Sequence, residues 1–202
     1  MKLIMKKLPI IILALLAASN LIAAVETGAA APAFTLTDTT GAEHSLSDFK
    51  GKYVVLEWTN HGCPFVLKHY KEGHMQALQK KMTEQGVVWL IVNSNAPGKQ
   101  GHVSPQEGQK QIADKGMHAT AMLLDTDGKV GRAYDARVTP HMYLIDPAGK
   151  LVYQGAIDSV RSTNSSDIQA AENYVLSAYL ALKAGNPVEN ATTKPYGCGI
   201  KY

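Results

Sequence analysis

Cys63 and Cys198 are the only cysteines among 202 residues, and each sits in a segment unlike ordinary packing sequence. Cys63 follows Glu57-Trp-Thr-Asn-His-Gly, where an apolar stretch breaks into a polar turn, and Pro64 comes directly after it. Proline suits the first position of a helix, where its missing N–H costs nothing, so Cys63 is expected at or beside an N-cap. The unpaired N–H groups and partial positive charge of a helix start stabilise a thiolate, the nucleophilic form of sulfur. Asn60 and His61, in the preceding turn, could donate further hydrogen bonds to it. Glu57 has two readings. Partly buried, its carboxyl would be held protonated and could exchange protons with the sulfur; at a strand end, it would simply face water. Cys198 lies between Gly197 and Gly199, which free its backbone. A primed thiol with a distant second thiol points to redox chemistry.

The elements that must position Cys63 follow from hydrophobic period and turn residues. Phe34 to Thr37 and Glu43 to Leu46 flank Asp38-Thr-Thr-Gly41, a hairpin with a glycine turn. Tyr53 to Trp58 and Val87 to Val92 are short, β-branched apolar runs without strict alternation, as buried strands are. Between them, Phe65, Leu67, Tyr70, Met75, Leu78 and Met82 fall mostly at helical spacings, and Gly86 marks the stop. Ser104 with Glu107 forms a capping box for a helix reaching Lys115. Met122 to Leu124, Met142 to Ile145 and Leu151 to Tyr153 are further strands, the last two joined by the turn Asp146-Pro-Ala-Gly149. Ser166 is expected to cap a long amphipathic helix through Leu182 that Gly185 ends. This order implies an α/β fold with helices on both faces of the sheet. The segment after Pro187 has no core pattern.

Residues 1–24 read as a secretory signal, with Lys2, Lys6 and Lys7 before an apolar run and then alanine-rich sequence. Cutting after Ala24 leaves Ile22 three places before the cut, so an uncleaved membrane anchor is the alternative. These residues hold three of the 20 basic side chains and none of the 17 acidic ones, so the remainder is formally neutral. The basic balance is therefore no argument for nucleic acid or an anionic membrane as partner. Export, to the periplasm or the extracellular space, implies an oxidising compartment where a disulfide persists. The expected organisation is a signal at 1–24, a domain at 25–185 and a cysteine-bearing tail at 186–202.

The stretch Val54-Val-Leu-Glu-Trp-Thr-Asn-His-Gly-Cys-Pro-Phe-Val66, with Val138-Thr-Pro-His-Met-Tyr-Leu-Ile-Asp146 downstream, resembles the thioredoxin superfamily. More closely, it is similar to the exported peroxiredoxin-like redoxins of the alkyl hydroperoxide reductase/thiol-specific antioxidant family. The resemblance covers about residues 28–160. It implies a thioredoxin-like fold with a central mixed sheet, and a cis proline, here Pro140 after Thr139, packed beside the reactive sulfur. It also implies an oxidoreductase that acts on peroxide or on a disulfide-bearing substrate and is returned by an outside thiol reductant. The sequence departs from the pattern at two places. Val66 stands where thioredoxins carry their second cysteine, and Asn60 stands where peroxiredoxins have Thr or Ser. The arginine that polarises peroxide in that family could be Arg132, Arg137 or Arg161.

Cys198 offers the missing partner for Cys63. It could resolve an oxidised Cys63, close a static structural bridge, or remain an independent thiol. A non-catalytic binding module locked by such a bridge is the alternative from another class. Histidines near Cys63 invite a metal reading, but His69 and His74 are five apart on the expected helix and share no face, so no metal is assigned. Asp125-Thr-Asp-Gly128 lacks the glutamate of a calcium loop, Ala136 standing at its twelfth position, and reads as a turn. No glycine-rich phosphate loop follows any strand, and no cofactor is expected.

Overall fold

The computed structural model describes residues 25–202. The signal or anchor expected over residues 1–24 lies outside the described residues. Strands β1 (Thr35–Asp38) and β2 (Glu43–Ser45) form the expected hairpin, and the Asp38 carboxylate accepts from the Thr40 and Ala42 N–H groups to close its turn. The apolar runs become β3 (Val54–Trp58), β4 (Val88–Asn93), β5 (Ala121–Leu124), β7 (His141–Ile145) and β8 (Leu151–Gly155). A two-residue strand, β6 (Val138–Thr139), precedes β7. The sheet order is β2-β1-β5-β4-β3-β7-β8, with β3 parallel to β4 and antiparallel to β7. Every residue of β3, β4 and β7 is buried, which is why their sequences run apolar on both faces.

The helical run after Pro64 is interrupted. Helix α1 (Pro64–Tyr70) stops and α2 (His74–Thr83) starts anew at Gly73, whose φ of 80° lies in the left-handed region that glycine enters freely. Helix α3 (Pro105–Asp114) has the expected Ser104–Glu107 capping box. The short α4 (Lys129–Ala133) was not expected, and it begins where Asp125 accepts from the N–H groups of Val130 and Gly131. The last helix is shorter than expected. Residues Ser165–Ala170 form a 3-10 helix, and α5 (Tyr174–Lys183) is capped by Asn173, which accepts from Leu176 N–H at 2.9 Å, not by Ser166.

Two apolar clusters divide at the sheet. One joins Val55, Met142 and Leu144 to α1, α2 and α5, with Ile112 of α3 at its edge. The other joins Val54, Leu56, Trp58 and Tyr143 to Tyr134, with Val130 of α4 at its edge. The longer helices thus share one face; α4, a 3-10 turn at Leu46–Phe49, Val25 and Ala31 before β1, and Ile200 of the C-terminal segment pack on the other. Leu67, at helical spacing with the apolar residues of α1, is 40% exposed, whereas Lys68 beside it is buried. Among the described residues no helix is long and apolar enough to cross a membrane.

Residues after α5 return across the domain. Ala191 and Thr193 pair with the backbone of Gln154 on β8, and Cys198–Gly199 form a final strand, β9, antiparallel to β6. Beyond it, Ile200 N–H donates to Arg137, Lys201 pairs with Asn95 and Ala96, and the Tyr202 hydroxyl donates to Ala136 O at 2.6 Å. The expected tail is an ordered strap.

Candidate active site

The turn after β3 delivers Cys63 to the N-cap of α1, as Pro64 implied. Its carbonyl accepts from the N–H groups of Val66 and Leu67 at 3.0 and 2.9 Å, and its own N–H donates to Asn60 O. The side chain is buried, only 1% exposed, and the thiol donates to the Thr139 carbonyl at 3.1 Å. Thr139–Pro140 is the one cis peptide bond among the described residues, at the position the family resemblance required.

The strap brings the second sulfur to the first. Thr139 is register partner to Cys198, so the β6–β9 ladder seats Cys198 beside the same Thr139 carbonyl that Cys63 contacts. This approach depends on Gly197. Its φ of 145° suits glycine, and any Cβ there would run into the Thr139 carbonyl oxygen. Both cysteines are free thiols, Cys63 buried and Cys198 half-buried.

Their acidities split. Burial pushes the Cys63 thiol up, but hydrogen bonds from the Cys198 thiol, the N–H groups of Val66 and Cys198 and the Thr139 side chain outweigh it. The net pKa lies below the ordinary thiol value. Burial and the neighbouring Cys63 push Cys198 up to about 11. Within the pair, Cys63 is therefore the acceptor and favoured thiolate, and Cys198 the donor that stays protonated.

The other expected residues take different places. Glu57 is fully buried, which removes the reading of a strand end facing water. Its carboxylate accepts from the Tyr70 hydroxyl at 2.7 Å, Gln79 Nε2 at 3.1 Å and Trp89 Nε1 at 2.8 Å. It ties α1 and α2 to the sheet, and the groups that hydrogen-bond the Cys63 sulfur do not include it. Burial raises its pKa, the three donors and Lys115 opposing that shift. Asn60 is also fully buried. Its amide pairs reciprocally with Gln100 at 2.9 and 3.1 Å and accepts from Gly62 N–H at 3.0 Å, so it shapes the turn and leaves the sulfur to other donors. His61 is exposed on that turn. His69 is buried beside Asp158.

None of the three arginines is among the groups that hydrogen-bond the pair. Arg132 stacks on Tyr202, Arg137 is paired with Asp135, and Arg161 is exposed. Sequence reasoning passed over Lys68, Asp158 and Tyr196, which form a buried cluster between α1 and the strap. Nothing local in the sequence marked Lys68 as inward-facing.

Residues 27–154 match the family model described as AhpC/TSA. The thiol-disulfide oxidoreductase ResA of Bacillus subtilis is 32% identical over 133 residues, 63% of this chain and 66% of the relative. The chain thus spans about two thirds of the length of that curated relative. The crystal structure of an uncharacterized conserved protein from Geobacillus kaustophilus is 30% identical with a TM-score of 0.74, covering 88% of this chain and 92% of that one. The thioredoxin domain of a thiol-disulfide oxidoreductase from Bacteroides vulgatus shares the fold. It is 24% identical with a TM-score of 0.52 and covers 73% of this chain and 98% of that one.

Proposed function

We propose that this chain, which belongs to the AhpC/TSA family, is a thiol-based oxidoreductase that cycles between a Cys63/Cys198 dithiol and a Cys63–Cys198 disulfide. One observation carries the reading: the β6–β9 ladder sets Cys198 opposite Thr139, whose carbonyl the buried Cys63 thiol contacts at 3.1 Å, and the acidities of the two thiols shift in opposite directions. Likeness to ResA, named as a thiol-disulfide oxidoreductase, favours a disulfide as the substrate.

In the reductive direction the Cys63 thiolate attacks one sulfur of a substrate disulfide. The substrate S–S bond breaks, one substrate sulfur leaves as thiolate, and a mixed disulfide forms on Cys63. Cys198 then gives up its proton, attacks the Cys63 sulfur and releases the second substrate thiolate. Two electrons have moved from the pair to the substrate, and the departing sulfurs take up protons. Two equivalents of an outside thiol restore the dithiol: the first attacks Cys198, the more exposed sulfur, expelling Cys63 as the better leaving group because its pKa is lower, and the second attacks the resulting mixed disulfide, frees Cys198 and leaves with the first as their own disulfide.

The burial of Cys63 also favours a second reading, with a small peroxide as oxidant. Peroxide would convert the thiolate to a sulfenic acid, and Cys198 would displace water from it to form the same bond. The reading of residues 1–24 as an export signal puts the chain outside the cytoplasm, and cell fractionation tests it.

The discriminating experiment treats the Cys198→Ala variant with stoichiometric hydrogen peroxide or with a small aromatic disulfide. A stable mixed disulfide on Cys63 with the aromatic disulfide, and slow reaction with peroxide, is the expected result. Rapid sulfenic acid formation would favour the peroxidase. A wild-type chain that keeps both thiols free under either oxidant would remove the redox cycle altogether and leave a non-catalytic module.

A further inference from the structure

Of the strap's anchors, one has its partner on the helix that Cys63 caps. Tyr196, two residues before Cys198, is 6% exposed and packs its ring edge-on to Phe65, two residues after Cys63, at 5.7 Å between centroids. Its hydroxyl donates to Asp158 Oδ1. Asp158 Oδ2 accepts from Lys68 Nζ at 2.8 Å, and the same ammonium donates to Val160 O at 2.7 Å. Lys68 belongs to α1. A continuous chain of polar contacts therefore runs from the helix under Cys63, through Asp158, to the segment carrying Cys198.

Packing alone would not need such a cluster. A buried ion pair contributes little net stability over apolar residues of similar volume, because both charges must leave water. What it adds is direction, since a hydrogen bond fixes where a hydroxyl sits whereas apolar contact lets a ring slide. Burial, followed by Asp158, pushes the Tyr196 phenol's pKa up, so it remains a donor. Burial also holds neighbouring His69 neutral, its pKa near 4, so it brings no second cation to Asp158.

We propose that Tyr196 is a positioning residue for the Cys63/Cys198 couple, its hydroxyl gripped by the Asp158–Lys68 pair so that Cys198 is presented to Cys63. The proposal rests on the redox reading above and adds the device that sets the effective concentration of the second thiol.

The test is Tyr196→Phe, which keeps the ring against Phe65 and removes only the hydroxyl. Asp158 Oδ1 retains the Val160 N–H at 3.1 Å, so the carboxylate is not stranded. Wild type and variant are equilibrated with mixtures of glutathione and glutathione disulfide, and the oxidised fraction is read by thiol mass-tagging. The closing equilibrium should weaken about tenfold in the variant, raising the reduction potential by about 30 mV. The pH midpoint of Cys63 alkylation is measured in parallel. Tyr196→Phe should move it upward when Cys198 is present and leave it unchanged in a Cys198→Ala background. An unchanged potential in a variant whose wild type does close the bond overturns the proposal alone. A midpoint that moves equally in the Cys198→Ala background also overturns it, because Tyr196 would then act on α1 directly. A wild type that never forms the intramolecular bond overturns the redox reading and the proposal together.

Discussion

The Cys63 sulfur is acidified by a neighbouring thiol as well as by its own helix. The Cys198 thiol is the first of the hydrogen bonds that oppose the burial of Cys63. Cys198→Ala should therefore shift the pH midpoint of Cys63 alkylation upward, toward that of an ordinary thiol, as iodoacetamide rates across a pH series would read. The midpoint is the informative quantity, because removing Cys198 also uncovers the sulfur and changes absolute rates. Glu57 yields a different prediction. Its folded pKa is raised, so its contribution to stability is full below the unfolded carboxyl value and is lost as pH rises through the folded one. Glu57→Gln abolishes that titration but leaves a donor among its buried neighbours unpaired, at ~1–3 kcal/mol. Urea unfolding should show a destabilised variant at acid pH whose deficit shrinks toward neutral pH. A deficit independent of pH would mean that Glu57 does not titrate differently in the fold. Its neighbours were not legible in the sequence, because Tyr70, Gln79 and Trp89 come from three different elements.

Local pattern predicted the elements well where a local rule governs them. The Ser104–Glu107 box and the Asp146–Gly149 turn stand where their spacing put them. It failed where a backbone conformation breaks a continuous apolar rhythm. Met75, Leu78 and Met82 keep helical spacing, yet Gly73 in its left-handed conformation restarts the helix. The expected helix start at Ser166 was overridden in the same way, since Asn173 both caps α5 and bridges to Asp158. The strap is the element most open to test. Gly197→Ala combines an unfavourable φ with a clash against the Thr139 carbonyl, so β9 should peel from β6. The expected cost is ~1–3 kcal/mol, as for other forced overpacking. In hydrogen exchange, Ile200 N–H, bonded to Arg137 O at 3.0 Å, should lose protection while β3 and β4 amides keep theirs. Continued protection of Ile200 would show that the strap tolerates a side chain at that position.

Across the whole molecule, the two thiols join the first helix of the domain to its last strand. A bridge between positions so distant in sequence removes freedom from the unfolded chain, worth up to ~5 kcal/mol in the chain-entropy model. The oxidised protein should accordingly unfold at higher urea concentration than the reduced one, and Cys198→Ala should abolish the difference. Equal midpoints would indicate that closing the bond strains the fold by as much as it constrains the unfolded chain.

By itself the sequence determined whatever depends on near neighbours along the chain. It marked Cys63 before Pro64 as a helix cap, the buried strands, the order of an α/β domain, and the glycine-flanked cysteine near its end. Thr139–Pro140 was legible only through the resemblance to a family. Tertiary structure alone decided that Cys198 meets Cys63, that Glu57 and Asn60 serve neighbouring elements, and that Lys68 turns inward while Leu67 turns out. The reason is physical: acidity, burial and contact are set by atoms that become neighbours only after the chain has folded. No spacing rule carries that information across the residues between them.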